Sequence, residues 1–166
     1  MPNWCSNYVT FFGENVGKVD KMFDKLIAQQ AIDGLGVRPD WKACEKNEAR
    51  YMFEIQDLGD GVYQFDSKWS PCLSLMLLIG RRFKVALEIS WEEMGMSLYG
   101  SATFDPSVPD VMMIRDASCT NYKYDEDADM YIYNAEEYES LYDLMEDAIE
   151  DLTPVPISKD RIFREG

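Results

Sequence analysis

Ser70-Pro71-Cys72-Leu73-Ser74-Leu75-Met76-Leu77-Leu78-Ile79, preceded by Trp69 and followed beyond Gly80 by Arg81-Arg82-Phe83, carries the strongest structural signal in the chain. The Ser70 hydroxyl can accept from the free N–H groups of a first helical turn. Pro71 holds a helical φ and lacks a donor that such a turn leaves unused. Together they predict a helix beginning at this pair. From Leu75 to Ile79 every residue is apolar, so no face is left for water and the helix needs cover on more than one side. Val62 to Asp66 before it and Val85 to Ser90 after it read as strands, which makes it the central helix of an α+β sheet domain.

Toward the N-terminus, Asn7 to Gly13 is aromatic and β-branched and stops at a glycine, as a first strand does. Val16, Val19, Phe23, Leu26 and Ile27 then recur at helical spacing, with Lys18, Asp20, Lys21, Asp24 and Lys25 on the other side. Gly34 to Arg50 is a long connection with room for one helical turn. Tyr51–Ile55 and Val62–Asp66 flank Gly59-Asp60-Gly61 as a hairpin, and Val85–Trp91 and Met96–Phe104 turn around Glu93-Met94-Gly95 as another. The order β-α-β-β-α-β-β is the ferredoxin-like arrangement with an added strand: an antiparallel sheet bearing two helices on one face.

Beyond Asp105-Pro106 and Pro109 the composition changes. Residues 1–100 carry 14 acids and 11 bases, whereas residues 101–166 carry 17 and 5. The expected organisation is a ferredoxin-like core over residues 1–104 and an acidic extension over 105–166, packed on it as one compact unit. Within the extension, Val111–Ile114 and Met130–Tyr133 are candidate strands. Ala135 to Leu152 reads as a long helix capped by Asn134, with Glu137 reaching back to the cap. Tyr138, Leu141, Tyr142, Met145, Ala148, Ile149 and Leu152 give it an apolar stripe. Thr153-Pro154-Val155-Pro156 ends it, and Lys159, Arg161 and Arg164 form a slightly basic tail.

Three stretches carry a family likeness. Asn3-Trp4-Cys5-Ser6-Asn7 with Gly13, Trp69-Ser70-Pro71, and Trp91-x-Glu93-x-Gly95-x-x-Leu98-x-Gly100 resemble the YubB ferredoxin-like domain family. The likeness spans about residues 3–104, with Leu98 where the pattern favours an aromatic residue. It implies a ferredoxin-like fold and a phage- or plasmid-borne origin, and no established activity or catalytic residues.

The net charge of −15 repels phosphate backbones and anionic headgroups, which argues against direct binding of nucleic acid or membrane. No apolar run reaches the roughly 18 residues of a membrane span. Cys5, Cys44, Cys72 and Cys119 form no C-x-x-C pair, and the start of the chain has neither basic cap nor apolar run, so reduced, buried thiols in a cytoplasmic protein are expected. Trp4, Trp69 and Trp91 read as core residues.

The chain has no histidine, so Ser-His-Asp and Cys-His nucleophiles and His-containing zinc sites cannot be built. Asp125-x-Asp127-x-Asp129 resembles the start of a calcium loop, but Met130 occupies the position that needs glycine. Glu92 and Glu93 are adjacent and point to opposite sides of a strand, unlike a pair sharing acid and base roles. The expectation is a protein with no catalytic residues, metal or cofactor.

One constellation stands above these. Between Asp125 and Asp151 lie 12 acids and no Lys or Arg. On a continuous helix, Glu136, Glu139, Asp143, Glu146, Asp147 and Glu150 share the arc opposite the apolar stripe. Eight acids over such a helix, about 27 Å long, space charge about as closely as the phosphates of one DNA strand. A solvated acidic surface is the plain reading, and like charges three and four apart weaken the helix that bears them. The sharper one is a DNA-mimicking partner-binding face for a basic, nucleic-acid-binding host protein such as a nuclease or a CRISPR or restriction complex. An interaction protein without mimicry and a carboxylate- or metal-dependent enzyme are the alternatives.

Overall fold

The computed structural model describes residues 3–44 and 51–165, and of Cys119 and Glu165 only the backbone. Residues 45–50, the end of the expected long connection, lie outside the described residues, as do Met1 and Pro2.

Strand β1 (Trp4–Phe12) and helix α1 (Val16–Asp33) are followed by the hairpin β2 (Phe53–Gly59) and β3 (Val62–Lys68). Helix α2 (Leu73–Phe83) then leads to β4 (Ala86–Glu93) and β5 (Leu98–Phe104). β4, β1, β3 and β2 lie side by side in that order, every neighbour antiparallel. This is the interleaved βαβ pair of the ferredoxin-like fold. β5, then β6 (Val111–Asp116) and finally β10 (Val155–Ser158) extend the same sheet on the β4 side to seven strands.

Alternation along the strands sorts the two faces. In β1, Cys5, Val9 and Phe11 are buried toward the helices, while Trp4, Tyr8 and Phe12 are exposed on the other side. α1 lays Val19, Phe23 and Leu26 on the sheet, with the Phe23 ring stacked on Tyr63 at 3.9 Å. It ends at Gly34, whose φ of 64° is the left-handed cap that glycine adopts without strain. Within the described part of the long connection after Gly34, Lys42–Cys44 forms a 3-10 turn.

α2 is buried as its composition requires: Leu75, Met76, Leu77 and Ile79 have no exposed surface. α1 packs on one side of it and α4 (Lys159–Glu165) on the other. Its start differs from expectation. The helix begins at Leu73, with Cys72 as N-cap, and Ser70 makes no cap. Trp69 adopts a left-handed φ of 67°, and the Ser70 carbonyl accepts from Ser67 Oγ at 2.7 Å, which holds residues 69–72 in an irregular turn. The polar group serving this corner is Asn7 of β1, whose Oδ1 accepts the Cys72 N–H at 3.2 Å. Its Nδ2 donates to Ser67 Oγ at 2.8 Å and to the Cys5 carbonyl at 3.0 Å.

Tryptophan placement also departs from the sequence reading. Trp91 is buried, but Trp4 and Trp69 are 44% and 52% exposed. Cys5, Cys44 and Cys72 are buried, as expected, while the Cys119 side chain lies outside what is described. The basic tail is not a tail. Its approach forms β10 against β6, with Pro156 tolerated because β10 is the edge of the sheet. Lys159 and Arg81 both bridge to Asp110, at 3.2 and 3.0 Å, and Ile162 of α4 enters the main core.

Candidate functional site

The acidic segment folds as a short hairpin sheet plus a helix. β7 (Lys123–Asp125), β8 (Met130–Tyr133) and β9 (Glu136–Tyr138) form a three-stranded antiparallel sheet, and α3 (Leu141–Glu150) packs beside it. The continuous helix expected from Ala135 to Leu152 is therefore not formed. Asn134 and Ala135 have φ of 50° and 65° and make the tight β8–β9 turn, a conformation incompatible with a helix start. Asn134 caps nothing helical, and Glu137 faces Ile132 across the ladder instead of reaching back to a cap.

Two effects favour the hairpin. It sets Tyr131 directly opposite Tyr138, an aromatic cross-strand pair, and it takes like charges off one helix. The true cap is Ser140, whose Oγ accepts the Asp143 N–H at 3.1 Å. Leu144, Met145 and Ala148 of α3 are buried with Ala117 in a second small core, which Tyr99 of β5 joins to the main sheet.

The six predicted carboxylates consequently sit on three elements. Glu136 is on β9, Glu139 lies in the β9–α3 turn, and Asp143, Glu146, Asp147 and Glu150 are on α3. All six are exposed. The four on α3 fall within about 100° of arc, opposite the buried stripe, as helical periodicity dictates. The charged rod is shorter than expected: ten residues, about 15 Å, in place of about 27 Å. Glu136, Asp147 and Glu150 are drawn together around a shallow cleft with Tyr133, Tyr138 and Asp151.

Tyrosine hydroxyls, which the sequence reading did not assign to this face, orient several of its carboxylates. Tyr138 donates to Asp147 at 2.8 Å and to Glu136 at 3.2 Å; Tyr133 donates to Asp151 at 3.0 Å. The Asp147 carboxylate beside Tyr138, and the Glu146 carboxylate beside Tyr142, push these phenols above their ordinary range. No Lys or Arg forms an ion pair with any of the six acids among the described residues, whose two bridges both go to Asp110. The signal available in sequence was the recurrence of Tyr among the acids.

The other candidate carboxylates hold turns. Asp125 closes the β7–β8 turn, its Oδ1 accepting the Asp127 and Ala128 N–H groups at 3.0 and 3.2 Å, and Tyr124 donates to Asp129. Among the described residues no cluster of three or more Cys, Asp or Glu is arranged to hold a metal. Glu93 accepts the Gly95 and Met96 N–H groups at 3.1 and 2.6 Å and so builds the 3-10 turn between β4 and β5. Gly100 is needed for the Trp91 ring, since a Cβ there would lie 2.2 Å from its Cζ2. Trp91, Glu93, Gly95 and Gly100 thus shape the β4–β5 connection.

Fold and site together define an α+β ferredoxin-like domain carrying an appended acidic face. The chain belongs to the family described as the ferredoxin-like domain in Api92-like protein, whose model matches residues 43–142. The match takes in the Trp69 and Trp91 motifs, omits β1 and α1, and continues past Phe104 into the acidic segment, where the sequence likeness stopped. No curated protein and no solved structure matches the chain. Among the described residues, no helix is long and apolar enough to cross a membrane.

Proposed function

We propose that the chain is a non-catalytic binding protein that uses its carboxylate face to occupy a basic, nucleic-acid-binding groove on another protein. The observation that carries this reading is the exposure of Glu136, Glu139, Asp143, Glu146, Asp147 and Glu150 with no internal cation to neutralise them among the described residues. A like-charged surface of this kind costs local stability and is compensated when a cationic partner covers it. Four carboxylates over about 15 Å of α3 match in spacing about four phosphates of one DNA strand. The hydrogen bonds of Tyr138 and Tyr133 hold neighbouring carboxylates in place, which lowers the ordering cost of docking.

The finer attribution belongs to the same proposal: a YubB-type protein of a phage or plasmid, acting in the cytoplasm against a host nuclease or a restriction or CRISPR complex. Its support is the motif likeness at Asn3–Asn7, Trp69–Pro71 and Trp91–Gly100, together with the charge.

The test is capture of nuclease and restriction or CRISPR proteins from host lysate, with duplex DNA as competitor. Capture should weaken about tenfold or more between low and moderate salt, and DNA should displace the partner. Glu139→Lys, Glu146→Lys and Glu150→Lys together should abolish capture while leaving the circular dichroism spectrum unchanged. These three leave Asp143 in the first helical turn and Asp147 on Tyr138. Salt-insensitive capture that survives charge reversal would reject the mimic and favour an interaction protein working through apolar and tyrosine contacts.

A further inference from the structure

The two faces of the seven-stranded sheet are covered differently. α1 and α2 pack on one of them. On the other, the acidic segment stands over the β5 end, where the Tyr142 ring of α3 meets Tyr99 edge-on at 5.8 Å. The middle of that second face is open. Along β1 it presents Trp4, Tyr8 and Phe12, each nearly half exposed although β1 has a neighbouring strand on both sides. Three large rings in one surface row are the kind of apolar exposure that marks an interaction site.

The strand register sets negative charge between these rings. The row that crosses β1 at Ser6, between Trp4 and Tyr8, has Asp66 on one side and Glu92 on the other. The row at Thr10, between Tyr8 and Phe12, carries Glu88 on β4. The one cation in these rows of β3, β1 and β4 is Lys68, opposite Trp4, whose Nζ lies over the Phe53 ring at 5.2 Å. At the Trp4 end the face deepens into a cavity of about 670 Å³ walled by Trp4, Phe53, Glu54 and Asp66, with the two ring centroids 4.9 Å apart. Burial and the neighbouring Glu54 raise the Asp66 carboxyl above its ordinary range, a repulsion that a cation placed between them relieves. Among the described residues none of these carboxylates is in an ion pair, both bridges going to Asp110.

We propose that this face docks an extended, arginine-bearing segment of a partner protein, laid along β1 with its guanidiniums on the rings and paired to Asp66, Glu88 and Glu92. A guanidinium suits both partners, since it stacks on an aromatic ring while its N–H groups donate to a carboxylate. Alternate side chains of an extended chain are about 7 Å apart, as are successive β1 side chains on one face, so such a segment meets ring and carboxylate rows in turn. A single nucleic-acid strand could stack on the rings, but its phosphates would meet the three carboxylates of these rows. A second copy of the chain would bring its own charge of −15 against them. This surface is separate from the six acids of the extension, and its occupant does not depend on their resembling DNA.

Fluorescence anisotropy of a labelled nonapeptide of alternating arginine and serine, titrated with the full chain at physiological ionic strength, tests this. Its lysine and citrulline counterparts and an oligothymidylate are the comparison probes. The arginine peptide should bind saturably, the lysine peptide about tenfold more weakly and the citrulline peptide more weakly still. Tyr8→Ser should weaken the arginine peptide about tenfold, as should Glu88→Gln with Glu92→Gln, all at unchanged circular dichroism. If Tyr8→Ser does not fold, the double glutamine variant decides. Glu139→Lys, Glu146→Lys and Glu150→Lys together should leave the affinity within about threefold, so this docking and the occupation of a basic groove by the α3 acids stand or fall separately. The assignment is overturned by absence of saturable binding, by equal affinity for the arginine peptide and either counterpart, or by tighter binding of the oligothymidylate. An affinity unchanged in the folded sheet variants, or one lost on reversal of the α3 charges, would also overturn it.

Discussion

Asn7 concentrates more of the fold than any apolar residue near it. Fully buried on β1, it donates to the Cys5 carbonyl and to Ser67 Oγ and accepts the Cys72 N–H, so one side chain ties β1, β3 and the start of α2 together. Removing it leaves the Cys72 N–H and the Ser67 hydroxyl short of partners in a dry environment. Asn7→Ala should therefore lower the unfolding free energy by about 3 kcal/mol, measured by urea denaturation, whereas loss of one surface contact would cost under about 1 kcal/mol. The residue was visible in the Asn3–Asn7 motif, but its role was not. Ser70 looked like the cap because it precedes Pro71, and nothing local in the chain brings β1 beneath that corner.

At the scale of elements, helices α1 and α2 were legible because their apolar spacing matches a packed face, as Val19, Phe23 and Leu26 show for α1. α3 was legible only in its second half. Tyr138, Leu141, Tyr142 and Met145 fit a helical stripe, yet Tyr138 belongs to a strand and packs by facing Tyr131. The expected and observed caps make different predictions. Ser140→Ala should destabilise the chain by about 1 kcal/mol, read from thermal or chemical unfolding. Glu137→Gln would cost as much only if the longer helix existed, and it should be close to neutral.

For the molecule as a whole, net charge and buried phenols set its response to alkali. Burial, reinforced by the hydrogen bond of 2.6 Å to Asp20, raises the Tyr63 hydroxyl well above its ordinary value of 10.0. A group whose acidity is weakened on folding contributes stability that is complete below its unfolded pKa and is lost as pH climbs above it. Stability should accordingly fall above about pH 10, with Tyr63 ionising only as the chain opens, seen as a cooperative step in tyrosinate absorbance. Added salt should shift that step to higher pH, because it screens the mutual repulsion of a chain already at −15. Ionisation of every tyrosine near pH 10 without unfolding would contradict the burial of this ring.

Composition and local pattern were sufficient for the α+β class, the β-α-β-β-α-β order, the burial of α2 and the exposure of the acidic residues. Each depends on the spacing of apolar and charged side chains along a continuous segment, which is a property of the chain alone. The cap on α2, the β8–β9 hairpin, the β10 edge strand and the docking of α4 were settled only by folding. In each of these, a contact made in the folded chain competes with a reasonable local preference, and the one that buries more surface or satisfies more hydrogen bonds prevails.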